Sequence, residues 1–425
     1  MKKFFKKLVL FILKKLAKKR IKKFKGKIIA VTGSVGKTST KDAIYAVLNS
    51  QFKVKYSKKS MNSDFGLLLT ILDIDSGFSS ATKWTWYLLK GFYHSFMTDH
   101  SEVLLLEMGV DAPGDMDFLL SIVGPDIVVM TNIFPVHLAE GQFSNLEEIF
   151  NEKKKLVDEL KEDGVAILNT DNHFLEGLAK TGNKKNTISF GKNRDANYWA
   201  SRINTNTNGT QFILHNGEDR YEVSSPVLGK YQIYVLLPAI ICGVKMGMSM
   251  ENAILALGRY TLPPGRMSLI PAINNATILD SSYNSSPTAL KEALEVLKEL
   301  GADKRKIAVL GNMNELGEEE EKLHKMIGEI IPKYADVLIT VGSLAGVFAK
   351  EAIKKGLDEK SVFEFKTSNE AAEFFKEKVK AGDVILVKGS QNKVRLERFV
   401  KELMATPSDA KKLLVRQEKV WQAKL

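Results

Sequence analysis

Three observations predict an α/β fold with mostly parallel sheets. Short β-branched runs alternate with helix-periodic stretches, a glycine-rich turn joins the first run to a helix, and a Pro-Pro-Gly break divides the pattern in two. The expected architecture is a P-loop-containing central domain over 26–262 and a Rossmann-like C-terminal α/β domain over 263–425. A basic amphipathic helix over 1–25 precedes them. A chain of 425 residues is long enough for each domain to bury its own core. The single cysteine, Cys242, excludes an internal disulfide and fits a reducing cytosol.

Residues 1–27 hold 13 of the 62 Lys and Arg and none of the 50 Asp and Glu. The remainder, with 49 basic and 50 acidic residues, carries a net charge of −1, which argues against nucleic-acid binding by the folded body. In the basic segment Phe5, Leu8, Val9, Ile12, Leu13 and Leu16 recur at helical spacing, with lysines opposite. The apolar run from Leu8 to Leu13 is far short of the ~20 residues a spanning helix needs. No small-residue cleavage site follows, so a secretory signal is not expected. Two readings stand: a helix on an anionic inner leaflet, each lysine adding about 1 kcal/mol, or a helix docked on the protein.

Ile28, Ile29, Ala30 and Val31 read as a buried strand, and Asp42 to Leu48 as a helix. Between them lies Thr32-Gly33-Ser34-Val35-Gly36-Lys37-Thr38-Ser39. Its glycines let backbone N–H groups turn inward, and the helix start adds positive potential for phosphate. Lys37 would reach the outer phosphates of a nucleoside triphosphate and Thr38 would hold magnesium. The loop is a shortened one, since Val31 stands where the usual pattern has its first glycine.

Further strands are expected at Val103–Leu106, Ile127–Met130, Val165–Leu168, Thr277–Leu279, Ile307–Leu310, Val337–Val341 and Val384–Val387. Residues 196–228 suggest a small β element within the central domain. The aromatic stretch from Trp84 to Phe96 reads as core or lid, or alternatively as a second membrane-facing surface. Glu107 ends a strand and is a candidate magnesium ligand. His137 follows another strand end, where a lone histidine is more often structural. Lys153 lies on the buried stripe set by Leu146, Ile149, Phe150, Leu156, Val157 and Leu160, so it must snorkel, find an acid or become modified. Pattern alone favours snorkelling.

Together the ordered motifs resemble the Mur ligases, within them the type that adds D-alanyl-D-alanine. They are the loop from Val31 to Thr38, Glu107-Met108-Gly109, Pro113-Gly114-Asp115, Thr131-Asn132-Ile133 with His137, Gly265-Arg266-Met267, Asp280-Ser281-Ser282-Tyr283-Asn284, Leu310-Gly311-Asn312-Met313-Asn314-Glu315-Leu316-Gly317 and Val387-Lys388-Gly389-Ser390. The resemblance implies a cytoplasmic, ATP- and magnesium-dependent ligase of peptidoglycan assembly. It implies ATP contacts at Gly33, Ser34, Val35, Gly36, Lys37, Thr38, Ser39, Arg266 and Asp280. Thr38 and Glu107 would hold a first Mg2+, and Glu107, His137 and carbamylated Lys153 a second. Lys37 and Arg266 would stabilise the transferring phosphoryl group, and Asn62, Tyr283, Asn284 and Asn314 would meet substrate. The partners implied are a muramyl-peptide acceptor and D-alanyl-D-alanine, with no nucleic acid.

Three departures qualify it. The family usually carries a UDP-gripping domain ahead of the loop, where this sequence has the basic segment; a UDP-linked and a lipid-linked acceptor both stay open. The family's second aspartate in Asp-Asp-Ser-Tyr-Asn is Ser281, and its Gly-Arg-His-Asn-x-x-Asn reads Gly229 to Val235, where Val235 cannot hydrogen-bond adenine. The alternatives are an amino-acid ligase with another acceptor and a non-catalytic, membrane-tethered nucleotide-binding scaffold.

Overall fold

Apolar runs too short for helices and flanked by turns become central strands, and in this chain they build two sheets. The computed structural model describes residues 2–57, 64–75, 81–135, 142–181, 186–314, 316–390, 394–418 and 421. The chain divides into two units, one of residues 1–202, 212–224 and 233–260, the other of 203–211, 225–232 and 261–425.

The first sheet contains β1 (Lys27–Thr32), β2 (Val54–Tyr56), β3 (Val103–Glu107), β4 (Ile127–Met130), β5 (Val165–Asn169), β6 (Asn186–Gly191), β7 (Tyr198–Asn206), β8 (Gly209–Asn216) and β9 (Asp219–Ser225). Its order is β2-β3-β1-β4-β5-β6-β7-β8-β9. The small β element expected over 196–228 forms as β7, β8 and β9, at one end of this sheet. β1 pairs in parallel with β3 on one side and β4 on the other. The chain order reverses there, which opens a crevice beyond the C-terminal ends of those strands.

The helices of this part are α1 (Lys2–Ile21), α2 (Lys37–Leu48), α3 (Asp64–Leu72), α4 (Ala81–Phe96), α5 (Asp115–Leu120), α6 (Leu146–Asp158), α7 (His173–Thr181), α8 (Ile233–Lys245) and α9 (Met250–Leu257). α1 packs on α3 and α4, burying Val9, Leu13 and Ala17 in the same core as Ile28, Leu104 and Val128. Arg20 donates to the Leu72 carbonyl at 2.9 Å and pairs with Asp99 at 3.1 Å. Burial by itself would raise the Asp99 carboxyl, but Lys55 at 2.8 Å outweighs it and holds Asp99 down to about 2. The docked reading of α1 thus holds for one face only: Phe5 and Leu8, expected on the buried stripe, are exposed. α4 is divided likewise, with Trp84 buried and Trp86 and Phe92 exposed. Cys242 is buried in α8.

The second sheet contains β10 (Ser268–Pro271), β11 (Thr277–Ser281), β12 (Lys306–Gly311), β13 (Val337–Val341), β14 (Val362–Phe365) and β15 (Val384–Lys388), in the order β10-β11-β15-β12-β13-β14. β10 is antiparallel and the others are parallel. Apolar layers cover both faces, one around Ile307, Phe375 and Phe399 and the other around Leu290, Leu338 and Phe348. The near-continuous Val, Ile and Leu runs of these strands are what burial on both faces requires.

Candidate active site

The loop between β1 and α2 owes its shape to two glycines and to the end of β4. Gly33 has φ 142° and Gly36 φ 85°, a region other residues avoid. A Cβ on Gly33 would also collide with Thr131 Oγ1. Asn132 accepts from the Val35 N–H at 2.8 Å and donates to the Val35 carbonyl at 3.0 Å. Ser34 donates its hydroxyl to the Phe134 carbonyl at 2.9 Å, and the Phe134 N–H returns a bond at 2.9 Å. Thr131 binds the Val35 carbonyl at 2.7 Å. The motif Thr131-Asn132 therefore fixes the loop, a role the sequence did not reveal.

Lys37 opens α2 and donates to the Gly33 carbonyl at 2.9 Å, spanning the loop it would share with a phosphate. Burial lowers its pKa, opposed by the Glu107 and Asp111 carboxylates. The Thr38 hydroxyl donates to Glu107 Oε1 at 3.0 Å. Glu107 is 2 % exposed, and its Oε2 accepts no hydrogen bond from the described residues. Lys41, fully buried, holds its ammonium 3.7 Å from that oxygen and donates to the Ser57 carbonyl at 2.7 Å. A buried carboxylate oxygen left without a donor, beside a hydroxyl, suits a hard cation such as Mg2+.

Lys153 does not snorkel: it is 1 % exposed. Snorkelling needs a path to water along the stem, and here α6 seats the whole side chain inside. Burial, then the neighbouring Lys37 ammonium, pulls its pKa down to about 7, with Asp111, Glu152 and Asp115 opposing. Near pH 7 about half of such an amine is neutral, and the neutral form is the one that takes up carbon dioxide. Its neighbour Glu152 accepts from the Gly114 and Met116 N–H groups at 3.0 and 2.8 Å and from Lys155 at 2.8 Å. Asp115 in turn accepts from the Asp111 and Ala112 N–H groups. Glu152 thereby ties α6 to the loop beside Lys153. Lys41 and Glu152 both went unnoticed in the sequence, where lysines and glutamates on helices are ordinarily solvated.

His137 and Asn62 lie outside the described residues. Among the described residues, no group of three or more His, Cys, Asp and Glu is placed to hold a metal ion. Thr38, Glu107 and Lys153 come from α2, β3 and α6 of one unit.

The second unit has a polar cluster of its own at the ends of β11 and β15. Asp280 is fully buried; its Oδ1 accepts from the Ser282 N–H at 3.0 Å and its Oδ2 has no hydrogen-bond partner among the described residues. Burial pushes its carboxyl up to about 6. Lys388 donates to Ser281 Oγ at 3.1 Å and to the Asn284 carbonyl at 3.0 Å. Burial draws it down to about 8. Register explains the meeting, since Ser281 lies beside Lys388 in paired strands. The hydroxyl at 281 thus occupies the lysine. Arg266 places its guanidinium 4.3 Å from the Tyr283 ring centre. Arg416, bridged to Glu397 at 3.2 Å, donates to the Ser282 and Tyr283 carbonyls. The Asn314 N–H donates to Ser390 Oγ at 2.9 Å. Val235 is buried in α8.

Residues 31–243 match the Mur ligase middle domain, and residues 265–391 the Mur ligase glutamate ligase domain. The chain belongs to the Mur ligase family. The UDP-N-acetylmuramoyl-tripeptide–D-alanyl-D-alanine ligase of Bacillus subtilis is 32% identical over 396 residues, covering 93% of this chain and 79% of the relative. The ligase of the same name from Rickettsia prowazekii is 28% identical, over 91% of this chain and 80% of its own. The MurF ligase of Thermotoga maritima in complex with ADP superposes with a TM-score of 0.76 at 26% identity, covering 95% of this chain and 84% of that one. A MurF crystal structure from Acinetobacter baumannii gives 0.77 at 22% identity over 93% and 80% of the two chains, a likeness of fold. The loop after β1, α2 and the acid ending β3 all fall within the stretch matched by the middle-domain model.

Proposed function

We propose that this Mur ligase uses ATP to join D-alanyl-D-alanine to the carboxylate of a muramyl peptide in peptidoglycan synthesis. The observation that carries the reading is the Thr38–Glu107 hydrogen bond at the start of α2, beside Lys37, in a chain whose relatives bear that ligase's name; the Lys37 ammonium also acts electrostatically on buried Lys153.

The inward N–H groups of the loop and the start of α2 bind the phosphates. Lys37 leaves the Gly33 carbonyl for the outer phosphates and offsets charge on the γ-phosphoryl group. The acceptor carboxylate oxygen attacks the γ-phosphorus while the bond to the β-phosphate oxygen breaks, giving an acyl phosphate and ADP. The dipeptide amine then attacks the acyl carbon; the C–O bond to phosphate breaks, and the nitrogen loses its proton as the amide forms. Thr38 and Glu107 would hold one Mg2+, which when bound neutralises phosphate charge. We assign Lys153 as the site of carbamylation, its amine bonding to the carbon of carbon dioxide and losing a proton to become an anionic ligand for a second cation. The second unit offers Arg266, Asp280, Tyr283, Asn284 and Asn314 as groups for nucleotide or substrate. The same reading places the enzyme in the cytoplasm, peripheral to the inner face of the membrane, where the exposed lysines of α1 meet anionic lipid.

Purified protein with ATP, magnesium, a UDP-linked muramyl tripeptide and D-alanyl-D-alanine tests the reading. ADP release that requires both acceptor and amine is expected. Release with a different amine would favour another amino-acid ligase, and ATP binding without turnover on any pair would favour a scaffold. Carbon-13 bicarbonate should give a carbamate NMR signal in the wild-type chain, absent in Lys153→Arg.

A further inference from the structure

The docked side of α1 leaves another side free, and α4 carries an aromatic row beside it. On α4, Trp86, Leu89, Phe92, Tyr93 and Phe96 are each more than half exposed. On α1, Phe5, Leu8 and Phe11 are exposed, and the same helical face continues through Lys15, Lys19 and Lys22, also exposed. The two rows belong to one surface. The Lys19 ammonium lies 3.1 Å from the Phe96 ring centre, and Lys23 donates to the Phe96 carbonyl at 3.0 Å. No acidic residue occurs in 1–41 or in 81–98.

We propose that α1 and α4 together form a docking face for an anionic bilayer. It deepens the membrane part of the functional reading and is independent of the ligase chemistry. Aromatic rings at headgroup depth and lysines beside lipid phosphates are the arrangement interfacial elements use. No helix among the described residues is long and apolar enough to cross a membrane, so the contact is one of lying on the surface. A second copy of the chain fits poorly, because pairing this face with itself sets lysine against lysine. The buried stripe Val9, Leu13 and Ala17 does not take part; it anchors the face to the first unit.

The test is co-sedimentation of the full chain with phosphatidylcholine vesicles, with and without phosphatidylserine. Binding to the anionic vesicles alone, weakened by added salt, is expected. Trp86→Ser/Phe92→Ser/Phe96→Ser and Lys15→Glu/Lys19→Glu/Lys22→Glu should each reduce it roughly tenfold or more. These side chains are exposed, and wild-type melting of both variants confirms an intact fold; Leu89→Glu alone serves if either melts early. Anionic vesicles should shift tryptophan emission to the blue in the wild type and not in Trp86→Phe. Absence of wild-type binding, binding indifferent to both triple variants, or a solution dimer dispersed by the variants without any vesicle binding would overturn the proposal. Turnover with soluble substrates should be unchanged in the variants, so its absence in the wild type bears on the ligase reading alone.

Discussion

Lys37 and Lys153 differ from surface lysines in one respect, the water they have lost. Lys37→Ala removes the only charge on the loop itself and should lower ADP release by roughly 10²- to 10³-fold, measured in a coupled assay; unchanged turnover would refute its phosphate role. Lys153, drawn down to about 7, is protonated in the acid range and neutral above it. At fixed bicarbonate, turnover should therefore climb as pH rises through about 7, and Lys153→Arg should be inactive across the range. Asp280 shows the opposite linkage. Its folded carboxyl titrates at about 6, against 3.8 for the free group. Above pH 6 the buried charge costs stability in full, and the cost fades as pH falls from 6 to 3.8. Asp280→Asn should stabilise the fold at pH 8 by up to about 3 kcal/mol, with less gain at pH 5, as read from urea unfolding at the two pH values.

At the scale of elements, α1 is the instructive case. Its sequence shows one apolar stripe, but the helix has two: Val9, Leu13 and Ala17 inside, Phe5, Leu8 and Phe11 outside. Leu13→Ala should lower stability by about 2–4 kcal/mol in urea unfolding; a loss under a few tenths would mean that the helix is not docked. The strands were legible because each is an apolar run buried on both faces, so Ile127–Met130 and Val337–Val341 form over the expected residues. The β7–β9 segment was legible as strand but not as part of the main sheet. Its thin alternation fixes pleating and leaves the choice of neighbour to β6. The cap on α5 escaped notice altogether, since Glu152 reaches it from another helix.

The molecule as a whole carries two separately cored units. Calorimetry should resolve two transitions, with Leu13→Ala lowering one. Arg416→Ala, which leaves Glu397 buried with half its ion pairs, should lower the other by about 3–5 kcal/mol; a single transition displaced equally by both changes would contradict the division. The charge distribution is equally uneven, with the basic excess gathered on the first helix.

The sequence alone determined the α/β class, the nucleotide loop and the family, because periodicity and short motifs are local properties of the chain. Only the tertiary structure decided which charges are buried, that Thr131 and Asn132 hold the loop, that Glu107 has an oxygen to spare, and which stripe of α1 faces the core. Those outcomes depend on how much water each group loses, and that is set by neighbours distant along the chain.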